Sequence, residues 1–357
     1  MELQTLINTN KDYLNIIKSE GITVKTINKY NIALLKYNYD YTNFDKDWKK
    51  YCRGCIIDLL TNKLICIPPM KAFDINESTL NETPIVVQNL IDGTMINLFY
   101  HQNEWIISTR SSIGGYNKWN QTNFKVLFEE SSQGLLNYNE LDKGISYSFV
   151  LLNKKNRNVS AVKTNTILLV DAFDRTNCKY IDIYTIDGLN DICIESIKVS
   201  NINEYINTLK KETNNFNWKG ITIKYKQKRY NYINPEYSYV DKLNVNSNNT
   251  LYRYLHLQRG KKLHIYLSYY PELTDLYNKY NSLLSILRNE LHSNYSKYFI
   301  IRDIKLKDIP FQLKPLLFEL HNEYKRLGNK INFKYICNYT DRLNINKLIF
   351  TLNYYNF

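Results

Sequence analysis

Two regimes of apolar patterning run along this chain. Up to about residue 245, apolar residues mostly gather in short runs of about four to eight, rich in β-branched and aromatic types and bounded by turn formers, as strands do. Such runs cover 33–41, 105–108, 146–153, 167–173 and 218–223. The stretch 84–97 is the most organised. A β-branched run, then Asp92-Gly93, then a second apolar run reads as strand, tight turn, strand, a β-hairpin. Residues 3–19 suggest one short helix, with Leu3, Leu6, Ile7, Leu14, Ile16 and Ile17 apolar, ending before Gly21. A further helix is expected over 199–213. The segment 111–123, made of Ser, Gly, Asn and Gln, reads as a mobile loop.

From about 246 the spacing turns helical. Leu273, Leu276, Tyr277, Tyr280, Leu283, Leu284, Leu287 and Leu291 step by three and four after Pro271. A second stripe, Leu316, Leu317, Leu320 and Tyr324, runs over 315–327 and stops at Gly328. Both stripes are expected to be core. The change of pattern predicts two domains, 1–245 and 246–357, and 44% apolar content in 357 residues suffices for their cores.

Composition adds three expectations. No run of about 18 apolar residues exists, so no membrane partner is expected. The start, Met1-Glu2-Leu3-Gln4, lacks a basic and apolar leader, which predicts a cytoplasmic protein. Cys52 and Cys55 have C-x-x-C spacing, but no second pair follows at zinc-site spacing. The six cysteines therefore read as small buried hydrophobes in a reducing compartment, with no metal site. Lysine and arginine number 47 against 34 acidic residues, a formal charge of +13 that suits a polyanionic partner. The 32 tyrosines and abundant Asn, Ile and Lys all have A/T-rich codons. Drift in a virus or an A/T-rich extrachromosomal element gives part of the same bias.

Several motifs follow one another. They are Tyr51-Cys52-Arg53-Gly54, then Lys71-Ala72-Phe73-Asp74 with Asn76 and Glu77, and Leu90-Ile91-Asp92-Gly93. After these come Ser108-Thr109-Arg110-Ser111, Ser146-Tyr147-Ser148-Phe149 and Lys219-Gly220. The last is Arg229-Tyr230-Asn231-Tyr232-Ile233-Asn234-Pro235-Glu236-Tyr237. In this order and spacing the chain resembles the phage-type ATP-dependent RNA ligases that reseal broken tRNA. The resemblance implies an α+β fold: a nucleotidyltransferase domain with ATP-grasp-like antiparallel sheets, of the RNA/DNA ligase type, followed by a small all-α C-terminal domain. In the phage enzyme that helical domain is implicated in choosing tRNA.

It also implies what is missing. The family's K-x-D-G lysine, which takes AMP from ATP, is Leu90 here; the F-E-F glutamate that holds ribose is Ser148. The metal-binding glutamate of E-G is Lys219, and the two lysines of K-x-K are Asn231 and Ile233. Leucine has no lone pair, and losing one member of a catalytic unit costs on the order of 10³–10⁶ in rate. No intact catalytic set is therefore expected. Carried over as binders of nucleotide or RNA phosphate are Arg53, Lys71, Asp92, Gly93, Arg110, Lys219 and Arg229. Phe73, Lys154, Lys155, Arg157, Lys224, Lys226 and Lys228 are RNA-binding candidates, the aromatic ring beside Lys71 suiting a base. A surface strand would explain Arg53 without function, and a solvated face would explain the 224–229 cluster.

The resemblance thus implies a pseudoenzyme that binds RNA, with tRNA as the expected class, and ATP as a ligand held without catalysis. Protection of tRNA as an immunity factor, with a tRNA-cutting ribotoxin as its protein counterpart, would suit the composition. Two alternatives stand beside it: an active RNA ligase using Lys219 as a displaced nucleophile, and a protein-interaction scaffold that no longer binds RNA.

Overall fold

The computed structural model describes residues 1–75, 85–115, 123–212, 215–226, 228–245, 247 and 249–355. The expectations for Asn76, Glu77, Pro84, most of the 111–123 loop and position 246 lie outside these residues. The chain divides into two units, Met1–Asp241 and Lys242–Phe357. The fold is α+β, antiparallel sheets in the first unit and helices in the second.

Among the described residues the first unit holds three sheets. Strands β1 (Ile22–Ile27), β2 (Ile32–Tyr37), β3 (Arg53–Asp58) and β4 (Lys63–Cys66) pair antiparallel in chain order. A short strand β5 (Ala72–Asp74) and then β6 (Ile85–Asn89) follow, before β7 (Thr94–His101), β8 (Glu104–Ser108), β9 (Ile145–Leu152), β10 (Thr166–Asp174) and β11 (Lys179–Ile181). The second sheet has the order β11-β10-β9-β7-β8. With β12 (Ser196–Val199), β13 (Gly220–Tyr225) and β14 (Lys228–Ile233), the third runs β12-β6-β13-β14-β5; its β14–β5 pair is parallel.

Alternate side chains of a strand face opposite sides of its sheet; the first sheet is buried on both, with Ala33, Leu35 and Ile57 in one cluster and Ile32, Leu34 and Ile56 in another. Ile85 and Val87 of β6 and Ile221 and Ile223 of β13 pack on Ile202 and Ile206 of helix α4 (Ile202–Glu212). Their alternate neighbours, Gln88, Thr222 and Lys224, therefore stand on the opposite face. Tyr147, Phe149 and Leu151 of β9 pack with Leu127 and Phe128 of α3 (Phe124–Ser132). Ser146 and Ser148 stand on the other side of that strand.

The hairpin expected over 84–97 does not form. β6 pairs with β12 and β13, whereas β7 pairs with β8 and β9, so residues 90–93 carry the chain from the third sheet to the second. A two-residue hairpin turn of the Asp-Gly kind requires left-handed backbone, and Gly93 has no positive φ. The single helix expected over 3–19 is two, α1 (Glu2–Thr9) and α2 (Tyr13–Ser19). Asn10 between them is extended, and its amide caps the Leu6 carbonyl at 2.9 Å, which ends the first helix. Cys52, Cys55 and Cys66 are buried; Cys178, Cys193 and Cys337 are only partly so.

Helix α5 (Pro235–Leu243) crosses the division between units. The second unit then has α6 (Thr250–Arg259), α7 (Leu263–Tyr269), α8 (Thr274–Tyr295), α9 (Lys314–Leu327), α10 (Phe333–Arg342) and α11 (Ile345–Leu352). Leu283, Leu284, Leu287 and Leu291 of α8 and Leu316, Leu317 and Leu320 of α9 are buried, as their spacing requires. Tyr324, assigned to the α9 stripe, is 45% exposed and lies against the His321 ring instead. No helix among the described residues is long and apolar enough to cross a membrane.

Candidate nucleotide and nucleic-acid site

The crossing between sheets centres on Asp92. The amide of Leu90 still donates to the Gly220 carbonyl at 2.9 Å, the last tie to the third sheet. The Asp92 side chain, 4% exposed, is then held by five donors, the side-chain amide of Asn158 at 3.4 Å being the most distant. One oxygen accepts from the Tyr237 hydroxyl at 2.6 Å and from the Lys219 ammonium at 3.3 Å; the other accepts the amides of Val159 at 2.9 Å and Ser160 at 2.8 Å. Burial pushes the carboxyl up. The Lys219 charge, the Tyr237 hydroxyl and the two amides outweigh it, so it is held below the ordinary aspartate value. Gly93 is a matter of space: a Cβ there would lie 2.5 Å from the Leu151 carbonyl oxygen and 2.6 Å from Val150 Cγ1.

Two other elements converge on this junction. Asn234 precedes α5, accepts the Glu236 amide, and donates to the carbonyls of Asn215 and Trp218, tying the helix start to the approach of β13. Pro235 opens α5, where its missing N–H costs nothing. Tyr237 then points its hydroxyl at Asp92. Gly220 begins β13 at φ +141°, where a Cβ would sit 2.0 Å from the Tyr232 carbonyl oxygen. The retained residues of both motifs thus maintain the junction.

Asn231, Ile233, Ser148, Leu90 and Lys219 have ordinary local surroundings. Asn231 accepts the Thr222 hydroxyl across the β13–β14 pair at 2.9 Å, and Ile233 pairs with Gly220. Ser148 donates to Asn97 at 2.9 Å, both buried, and the Asn97 amide nitrogen finds no hydrogen-bond partner among the described residues. Leu90 is partly buried. Lys219 is the ammonium beside the Asp92 carboxylate, and that carboxylate already engages it. It also lies 5.3 Å from the centre of the Tyr237 ring.

This junction, with two sheets meeting at a D-G step and a glycine-started strand facing it, can be set against known proteins. The chain is similar to ATP-dependent RNA ligases. An archaeal ATP-dependent RNA ligase in two forms aligns with TM-scores of 0.45 and 0.48, at 14% and 13% identity. These alignments span 71% and 72% of this chain and 67% and 68% of theirs. A Naegleria gruberi RNA ligase aligns with a TM-score of 0.35 at 12% identity, over 45% of this chain and 52% of its own. In sequence, a protein of Invertebrate iridescent virus 3 described as an immediate-early protein ICP-46 homolog is 24% identical over 276 residues, 71% of this chain. The match spans 61% of that relative's length. No family model matches the chain.

The remaining ligase-like positions fall into three groups. Arg53 and Lys71 meet around an aromatic cluster: Arg53 lies 5.2 Å from the centre of the Tyr39 ring. The Lys71 ammonium is 4.3 Å from the Phe73 ring, 4.9 Å from Phe44 and 5.7 Å from Tyr39. Phe73 is therefore not core but one wall of a cation cage, with Tyr39 53% exposed. Arg110 is exposed in the turn after β8, and Lys154 is exposed beyond β9. Lys155 pairs with Glu130 at 3.0 Å, and Arg157 donates to the Val159 carbonyl, stiffening the loop that feeds two amides to Asp92. The third group lies where β10 faces β13 and β14. Lys224 and Arg229 each meet one oxygen of Asp171 at 2.9 Å, a partly buried bridge between the second and third sheets. Lys226 and Lys228 extend from the same strand pair.

Sequence reasoning missed Asp171. The run 167–173 reads as a core strand, and its other positions behave so. The signal was present: one carboxylate inside an apolar strand needs a partner. It also missed Tyr39 and Phe44, which complete the cage around Lys71. Among the described residues no group of His, Cys, Asp and Glu could hold a metal ion.

Proposed function

We propose that this protein binds RNA on a ligase-type scaffold and does not form a lysine–AMP adduct. The observation that carries the reading is the occupancy of the sheet crossing. Leu90 stands at the position of the K-x-D-G nucleophile, and the ammonium that reaches Asp92 at the crossing, Lys219, is engaged by that carboxylate. An attacking amine must be free of such a partner to reach an α-phosphate. Phosphate recognition has a basis elsewhere: the Arg53–Lys71 cage joins two cations to the exposed Tyr39 ring and the half-buried Phe73, a combination that suits a nucleotide phosphate and its base. The surplus of 13 positive charges favours a polyanion in general.

The RNA class we infer is tRNA, and the use we infer is protection of that tRNA in the cytoplasm against a tRNA-cutting ribotoxin. Incubation with α-labelled ATP and Mg²⁺ or Mn²⁺ should leave no denaturation-resistant label while an active ligase control labels. Gel retention of tRNA should weaken steeply as salt rises. A protein that takes the label is an enzyme after all. Lys219→Ala would then test Lys219 as the displaced nucleophile: loss of the label assigns the attack to it. No retention of tRNA at low salt ends the RNA reading.

A further inference from the structure

The strand pair β13–β14 carries cations at the end away from the degenerate positions. There, between β10–β11 and the third sheet, lies an open cavity of about 470 Å³. It is lined by five lysine and arginine side chains against two aspartates, a surplus of three positive charges. None of Leu90, Ser148, Lys219, Asn231 and Ile233 lines it. Ile181 and Tyr184 give it an apolar wall. Two of its cations, Lys224 and Arg229, are pinned by the two oxygens of Asp171, each at 2.9 Å. Two others, Lys198 and Lys228, are exposed, with no acidic partner among the described residues.

We propose that this cavity is a phosphate-binding site in which Asp171 stands in for a ligand phosphate until one arrives. A carboxylate that splits its two oxygens between an ammonium and a guanidinium presents to both what a phosphate would present. An incoming phosphate group is drawn first by Lys198 and Lys228 at the rim, then competes with Asp171 for Lys224 and Arg229. The cavity's volume suits a ligand of nucleotide size. The phosphate comes either from a free nucleoside di- or triphosphate or from an RNA backbone; the chemistry recognised is the same. The proposal does not rest on the RNA reading above.

The probe is inorganic tripolyphosphate, titrated calorimetrically into the full chain at low salt. Wild type should bind it with an affinity that falls as salt rises. Asp171→Asn, which removes the internal competitor and keeps the shape, should tighten binding about tenfold. Lys198→Glu with Lys228→Glu, at two exposed positions that leave the core alone, should weaken it more than about tenfold. Displacement by ATP but not by a short single-stranded RNA assigns the site to a free nucleotide, and displacement by the RNA assigns it to the backbone. Displacement by neither overturns both sources. Absence of binding overturns the proposal, as does an affinity that the double variant leaves unchanged. If Asp171→Asn does not fold, the double variant alone decides. A chain that fails to retain tRNA yet binds tripolyphosphate here refutes the RNA reading and leaves this one standing.

Discussion

The Asp92 carboxylate accepts from two backbone amides, the Asn158 side chain, a hydroxyl and an ammonium, and those donors are the reason a charge can be buried there. Asn in its place keeps the volume but turns an –NH₂ toward one set of donors. Hydrogen bonds to a charged group contribute roughly 1.5–3 kcal/mol each, and their loss is partly recovered by relaxation. Asp92→Asn should therefore destabilise the first unit by about 2–4 kcal/mol in denaturant unfolding. The sign of its pH dependence follows from a carboxyl held below its ordinary value. Its stabilisation is complete above the unfolded-state pKa of about 4 and is lost as pH falls through the lower folded-state value. Unfolding midpoints measured from pH 6 downward should fall in the wild type below about pH 4 by more than in Asp92→Asn. Parallel curves would assign that acid sensitivity to other groups.

At the scale of elements, the crossing from β6 to β7 depends on Gly93. A methyl group 2.5 Å from a carbonyl oxygen must displace either β9 or the crossing itself. Gly93→Ala should cost about 1–3 kcal/mol, the range of an overpacked site, and a thermal midpoint equal to wild type would refute the close approach. The same crossing shows where pattern reading stops. Alternation identifies two strands and Asp-Gly identifies a break between them, but nothing in a period of two says which neighbour each strand chooses. Pairing is decided by partners distant in the chain: β6 meets β13, and β7 meets β9. The α1–α2 break was hidden for a different reason. One side-chain cap at Asn10 interrupts an apolar spacing that would otherwise continue.

Across the whole molecule, the strands, the helical second unit and the basic surplus were legible, because each is a sum over many residues. The division after Asp241 falls inside α5, where apolar spacing runs on without a mark. The site was legible in a lopsided way. Leu90 and Lys219 are visible as letters, whereas the meeting of Asp92 with Lys219 and Tyr237 exists only once three distant segments come together.

Those meetings also say something about time. The contacts of Asp92 span 67 residues to Val159, 127 to Lys219 and 145 to Tyr237. Closing such loops is entropically slow, and the carboxylate gains nothing until the last partner arrives. Asp92 should accordingly be absent from the folding nucleus. In a chevron experiment on the whole chain, Asp92→Asn should steepen the loss through faster unfolding while refolding keeps its wild-type rate. The junction would then act chiefly as a brake on opening: it sets how long the folded unit lasts and leaves the rate of its formation to the sheets.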